Sequence, residues 1–205
     1  MELIEAIESW KRALEDCWAK SPPGLPEYKS RVIKDFQEGR IHDGDRSIWL
    51  CGPGRGHKHY GVRSALRDFL SSFGFVVVFT EDHYSGRLLS EVEDQQFKVH
   101  YLTIVLCLSP GSAGEAINFL HQERTIGRFA KLKVFIPSDY KDGYVYRCLD
   151  EGGMLPGPRI LPESQFDISS PELAIAVYET IWAHIENDSR SRQLALRDEA
   201  ASQAV

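Results

Sequence analysis

Residues 102–119 constrain the fold of this chain more than any other stretch. They begin as Leu102-Thr-Ile-Val-Leu-Cys-Leu108, an apolar run rich in branched residues, and break at Ser109-Pro-Gly-Ser112. They resume with helical spacing at Ala116, Phe119 and Leu120. This pattern predicts a buried strand, a tight turn and a helix. A strand apolar on both faces belongs in a parallel sheet covered on both sides by helices, where ligands sit beyond the carboxyl ends of the strands. Glu115 then falls about one turn into the helix, near the edge where such folds keep their chemistry.

The flanking sequence repeats the theme. Leu3, Ile4, Ile7, Trp10, Leu14 and Trp18 recur close to a 3.6-residue period and predict an amphipathic helix to about Ala19, ended by Ser21-Pro-Pro-Gly-Leu-Pro26. Such a helix packs on its own domain or docks on a partner. A second amphipathic stretch runs from about Glu27 to Glu38, and Asp43-Gly-Asp45 turns into a first strand, Ser47–Cys51. A helix over about His57–Phe73 and a strand over Phe75–Thr80 complete a crossover unit. A polar helix over about Leu88–Val99 leads to the 102–108 strand. A fourth strand is predicted at Lys131–Ile136, then a short helix, and a last strand near Arg159–Phe166. Pro171 opens a final helix to about Asn187, followed from Asp188 by polar, alanine-rich residues that form a frayed helix or a tail. The expected fold is α/β, a Rossmann-like three-layer sandwich with a mostly parallel sheet of four or five strands and helices added at both ends. The expected divisions are an N-terminal helical extension (1–40), the α/β domain (41–187) and a tail (188–205).

The 205 residues suit one sizeable domain, and 42% hydrophobic and 26% charged residues are ordinary for a globular chain. No apolar run approaches the roughly 20 residues of a membrane span, and the start lacks a basic signal-peptide region, so a cytoplasmic, membrane-free protein is expected. A net charge of −6 argues against general nucleic-acid binding. Cys17, Cys51, Cys107 and Cys148 lack zinc-site spacing and read as free thiols, and His42, His121 and His184 show no ligand spacing either. No cofactor is expected.

Two segments carry candidate chemistry. Gly52-Pro53-Gly54-Arg55-Gly56-His57-Lys58-His59 follows the first strand, where small residues and a helix start can cradle an anion, although it is not a dinucleotide fingerprint. Ser112-Ala-Gly-Glu115 has the spacing of a capping box, which alone accounts for both residues. Equally, a carboxylate near a helix N-terminus is held ionised by the dipole, the state a nucleophile requires. Glu81 and Asp82 end the second strand as hydroxyl-binding or acid groups, or as a solvated turn. Tyr60 and Tyr84 are candidates to orient the nucleophile or stack on a base, or are simply packed aromatics. Glu91 and Glu93 read as helix surface.

Ile48-Trp-Leu-Cys-Gly-Pro53, the helix from Arg63 to Leu70, Val76–Asp82 and Ser109-Pro-Gly-Ser-Ala-Gly-Glu-Ala116 together resemble the nucleoside 2-deoxyribosyltransferase-like superfamily. Within it the chain is most similar to the diverged toxin effectors of bacterial retron anti-phage systems. The resemblance spans about Ser47–Pro137, with a weaker echo at Ser170–Tyr178. It implies that Glu115 attacks the anomeric carbon of a nucleotide, or of a dinucleotide such as NAD, and expels the base. Ser109, Gly111 and Ser112 would border the sugar and phosphate, and the segment Gly52–Tyr60 would line the pocket. The family also often places a polar helix residue near the pocket, a place that Glu91 or Glu93 would take. Leu102 stands where the family's transferases often carry an aspartate, so hydrolysis fits better than base exchange. The resemblance further implies an oligomer or complex, with a reverse transcriptase and its RNA–DNA product as partners. A nucleotide-binding or scaffolding module without turnover is the alternative.

Overall fold

The computed structural model describes residues 2–21, 27, 29–31, 34, 47–83, 89–126, 131–151 and 157–203, with side chains at 125, 126 and 189–203 excepted. The Asp43–Asp45 turn, Tyr84 and most of the second amphipathic stretch lie outside the described residues.

Five strands form one parallel sheet: β1 (Ser47–Cys51), β2 (Val76–Val78), β3 (Leu102–Leu106), β4 (Leu132–Pro137) and β5 (Arg159–Leu161), in the order β2-β1-β3-β4-β5. The helices are α1 (Leu3–Ala19), α2 (Tyr60–Ser71), α3 (Leu89–Val99), α4 (Pro110–Ile126), α5 (Tyr144–Glu151) and α6 (Glu172–Gln203). The α/β sandwich expected from the sequence is therefore what the chain adopts. All four strand pairings are parallel, with Ile48 beside Leu102 and Thr103 beside Leu132 setting the central register.

The central strand explains the layering. Along β3, Leu102, Ile104 and Leu106 face a core shared with α1, α2 and α6, while Val105 faces a second core with α3, α4 and α5. Both faces are apolar because both are covered, as the unbroken apolar run demanded. Trp10 and Leu14 are fully buried, and α1 touches α2 and α6. The first helix thus packs on its own domain through Trp10. Trp18 lies against Tyr178, ring centroids 5.6 Å apart.

Several boundaries move, among them the last strand, which ends at Leu161. The second strand shortens to Val76–Val78 because the chain turns at once into a 3-10 helix, Thr80–Asp82. The turn after β3 is tighter than expected, so α4 starts at Pro110. The last helix continues through 188 to Gln203 without a break.

In the second core, Phe119 of α4 stacks on Phe97 of α3, ring planes 7° apart with centroids at 5.1 Å, and tilts against Trp49 of β1 at 4.8 Å. This cluster sets the spacing of α3 and α4 over the sheet. Phe119→Ala should cost about 3–5 kcal/mol in urea denaturation through lost burial and a cavity, with Phe119→Leu costing less. A loss below about 1 kcal/mol would mean that the stack does not hold the two helices.

Candidate active site

In a 2-1-3-4-5 sheet the strand order reverses between β1 and β3, and the crevice above their carboxyl ends is the natural ligand position. The segments that reach it are 52–59 after β1, 79–82 after β2, and 107–112 after β3. The fold brings Glu115, Glu81, Arg63 and the two flanking loops to this edge.

Arg63, one turn into α2, organises the crevice. Only 2% of it is exposed. Its Nε and Nη2 donate to the Leu50 carbonyl at 3.2 and 3.0 Å, and Nη1 donates to the Pro53 carbonyl at 3.2 Å. The two Nη groups also grip both oxygens of Glu81 at 2.8 and 2.9 Å. The Phe79 ring lies 4.1 Å from the guanidinium. A planar, permanently charged fork suits this bidentate task, which lysine could not perform. Gly52 leaves room for it, since a Cβ there would stand 3.4 Å from Arg63 Cδ and 3.3 Å from Leu106 Cβ.

This arrangement decides the roles of Glu81 and Asp82. The Arg63 hydrogen bonds and charge, aided by Arg55, hold the Glu81 carboxyl below its ordinary range despite partial burial. An ionised, clamped carboxylate does not donate a proton, so the acid role considered for Glu81 does not fit. Asp82 Oδ2 accepts the Phe79 N–H at 2.9 Å and lies 3.7 Å from Arg67, which makes it the cap of the 3-10 turn.

Glu115 meets a partner that the sequence reading assigned to the helix surface. Glu93 of α3 stands close enough for the two carboxyls to act on each other, and Glu115 Oε2 is buried without a hydrogen-bond partner among the described residues. Burial and the neighbouring Glu93 charge push Glu115 up to about 8, against the pull of Arg63. Burial also raises Glu93. Two carboxyls this close cannot both ionise cheaply, so the pair holds a shared proton at neutral pH. The expectation that the helix dipole keeps Glu115 ionised is corrected accordingly. With α4 beginning at Pro110, Glu115 lies in the second turn, where the dipole has faded and desolvation dominates. Beneath the pair lie two free, buried thiols: Cys51 is pushed well up, and Cys107 up to about 12, by burial and the Glu115 charge.

The capping box also shifts. Ser109 caps α4, with its Oγ accepting the Ser112 N–H at 3.2 Å, and Ser112 Oγ accepts the Leu108 and Ser109 N–H groups at 3.2 and 3.1 Å. Ser112 Oγ donates to the Ser109 carbonyl at 3.0 Å. The box is therefore Ser109 with Ser112, which frees Glu115 from the cap and commits the buried Ser112 hydroxyl to the turn. Gly111 is exposed, and a Cβ there would meet only Ser109 Oγ, at 3.9 Å.

The first loop is braced at one end. His59 Nδ1 lies 3.0 Å from the Phe166 carbonyl, and exposed Lys58 reaches Glu163 at 3.4 Å. Gly56 takes a φ of +87° that strongly favours glycine. Gly54 and Arg55 are exposed, Pro53 is buried, and Tyr60 is half-buried at the start of α2, where no side chain caps the helix. On the other flank of α4, a cavity of about 330 Å³ is lined by Ser109, Pro110, Ala113, Ile136, Tyr140 and Tyr144, among others. Glu115 does not line it. Among the described residues, no three His, Cys, Asp or Glu side chains converge as metal ligands.

The shared proton has a measurable consequence. The folded chain keeps at Glu115 a proton that the unfolded chain releases near 4.5, so stability should fall as the pH rises from 4.5 to about 8 and level off above. Glu115→Gln should shrink that fall in denaturation curves taken across this range. An unchanged slope would place the proton elsewhere. In sequence comparisons, no known family matches the chain, and no curated protein is detectably similar to it.

Proposed function

We propose that the chain is an N-glycosidase that cleaves the bond between base and sugar in a nucleotide or a dinucleotide such as NAD, with Glu115 as nucleophile. The observation that carries this reading is the Glu93–Glu115 carboxyl pair, which sits beside the β1–β3 crevice and holds one proton. The order and spacing of the family-like segments support it.

In the reacting state the proton rests on Glu93 and Glu115 is ionised. A Glu115 oxygen forms a bond to the anomeric carbon as the bond to the base breaks, and the departing base takes the electron pair and the Glu93 proton. Water then attacks the anomeric carbon, gives a proton to the Glu93 carboxylate, and releases the sugar phosphate, or ADP-ribose in the case of NAD, together with the Glu115 carboxylate. Glu81, clamped by Arg63, offers fixed negative charge for sugar hydroxyls. The Ser109–Ser112 turn and the Gly52–Tyr60 segment supply backbone close to sugar and phosphate.

Substrates differ in their need for the acid. A purine leaves as an anion unless protonated, whereas nicotinamide leaves NAD as a neutral molecule. Chromatography of released base from purine nucleotides and from NAD tests both residues. Glu115→Gln should abolish release from either. Glu93→Gln should slow purine release by about 10²-fold or more and leave the first-turnover burst of nicotinamide nearly intact, with later turnovers slowed because Glu93 also takes the proton of the attacking water. Equal release by wild type and Glu115→Gln would remove the nucleophile assignment.

A second reading, a nucleotide-binding module without turnover, is favoured by one observation: the 330 Å³ cavity touches Ser109 but not Glu115. Calorimetry showing tight nucleotide binding with no base release would select it. For the biological setting we propose a toxin of anti-phage defence, held inactive by a reverse transcriptase and its RNA–DNA product, on the strength of the family resemblance. With Trp10 buried, docking through α1 would use its exposed start, where Ile4 is 74% exposed. Ile4→Asp should weaken co-purification with the reverse transcriptase; undiminished recovery argues against α1.

A further inference from the structure

At the opposite end of the sheet from the carboxyl pair, a cavity of about 390 Å³ opens between β4, β5 and α6. Lys133 at the start of β4 lines it, although only 6% of that residue is exposed. Arg159 of the neighbouring strand β5, in register with Phe135 and exposed, also lines it, its Nη1 donating to the Ala176 carbonyl at 3.4 Å and to Thr180 Oγ1 at 3.3 Å, which holds the guanidinium against α6. Phe135, Ala183 and His184 complete the part that matters, giving an apolar floor beside the two cations.

The charge is unbalanced. Glu179, also in the wall, is ion-paired with Lys29 at 2.6 Å. Glu123 attracts Lys133, but its carboxylate accepts the Leu132 N–H at 2.8 Å, and among the described residues no carboxylate lies within ion-pairing distance of Lys133. His184 is pushed down to about 4 by burial and by the Lys133 charge, against the pull of Asp188, so it enters as a neutral ring. Burial pushes Lys133 down to about 8 against the attraction of Glu123, and the cost of keeping that buried ammonium charged is offset when an anion occupies the cavity it lines.

We propose that this cavity binds a small organic anion, a carboxylate or phosphate ester whose oxygens meet Lys133 and Arg159 and whose apolar body packs on Phe135 and Ala183. The site is independent of the carboxyl pair and of any turnover there.

Calorimetry with benzoate and with phenyl phosphate tests it and separates the two anion types. Wild type should bind at least one probe with a Kd of about 1 mM or tighter. Lys133→Met, which keeps the stem and removes the charge, should bind at least about tenfold more weakly. Ala183→Leu, which fills the floor, should weaken binding as well, while Glu115→Gln binds as wild type does. Thermal melts establish that each variant is folded. No heat from either probe with wild type, or equal affinity in wild type and Lys133→Met, would overturn the proposal.

Discussion

The crevice depends on one buried cation. Arg63 ties the end of β1, through the Leu50 and Pro53 carbonyls, to Glu81 beyond β2, so a single guanidinium fixes two of the three segments that reach the switch point. Removing one partner of such a buried network typically costs about 3–5 kcal/mol, because a charge and several carbonyls lose their partners together. The same cation sets the electrostatics. It holds Glu81 ionised and limits how far burial and Glu93 can raise Glu115. Of the two carboxyls that feel this arginine, Glu81 is clamped as an anion and Glu115 is coupled to Glu93.

That division is what makes the edge chemically interesting. A carboxylate alone in a dry pocket would be protonated and a poor nucleophile, and one in water would have no proton to lend. Placing Glu93 on α3 against Glu115 on α4 gives a pair in which either member can hold the proton. The pair exists because the Phe97–Phe119 stack, one face of the second core, sets the spacing of those helices. Packing of apolar rings and the position of a proton are thereby linked through two helices.

The layered fold was legible because its signal is redundant: an unbroken apolar run at 102–108, helical spacing around it, and Gly-rich turns at strand ends all point the same way. The site was only partly legible. Glu115 stood out by its place after the central strand, but its partner did not. Glu93 sits on a polar helix whose exposed neighbour Glu91 shares its chemistry, and only the crossing of α3 over α4 distinguishes them. Arg63 gave a fainter sign, a charged residue among Val62, Leu66 and Phe69 on the buried face of α2. The cap was misplaced by three residues because Ser109 and Ser112 both suit the role, and local spacing cannot say which hydroxyl the turn will use. Lys133 is a similar case: a lysine within an apolar strand reads as snorkelling until the cavity facing it is seen.

Cys51 and Cys107 extend this logic to the floor of the crevice. A thiol becomes reactive only as thiolate, and here burial and the carboxyls above oppose that state. Oxidants and alkylating reagents therefore find exposed Cys17 long before they find the site. Burial thus keeps the thiols nearest the crevice in their unreactive form, and a probe attached at Cys17, with the half-buried Cys148 replaced, can watch the fold from α1 without touching that chemistry.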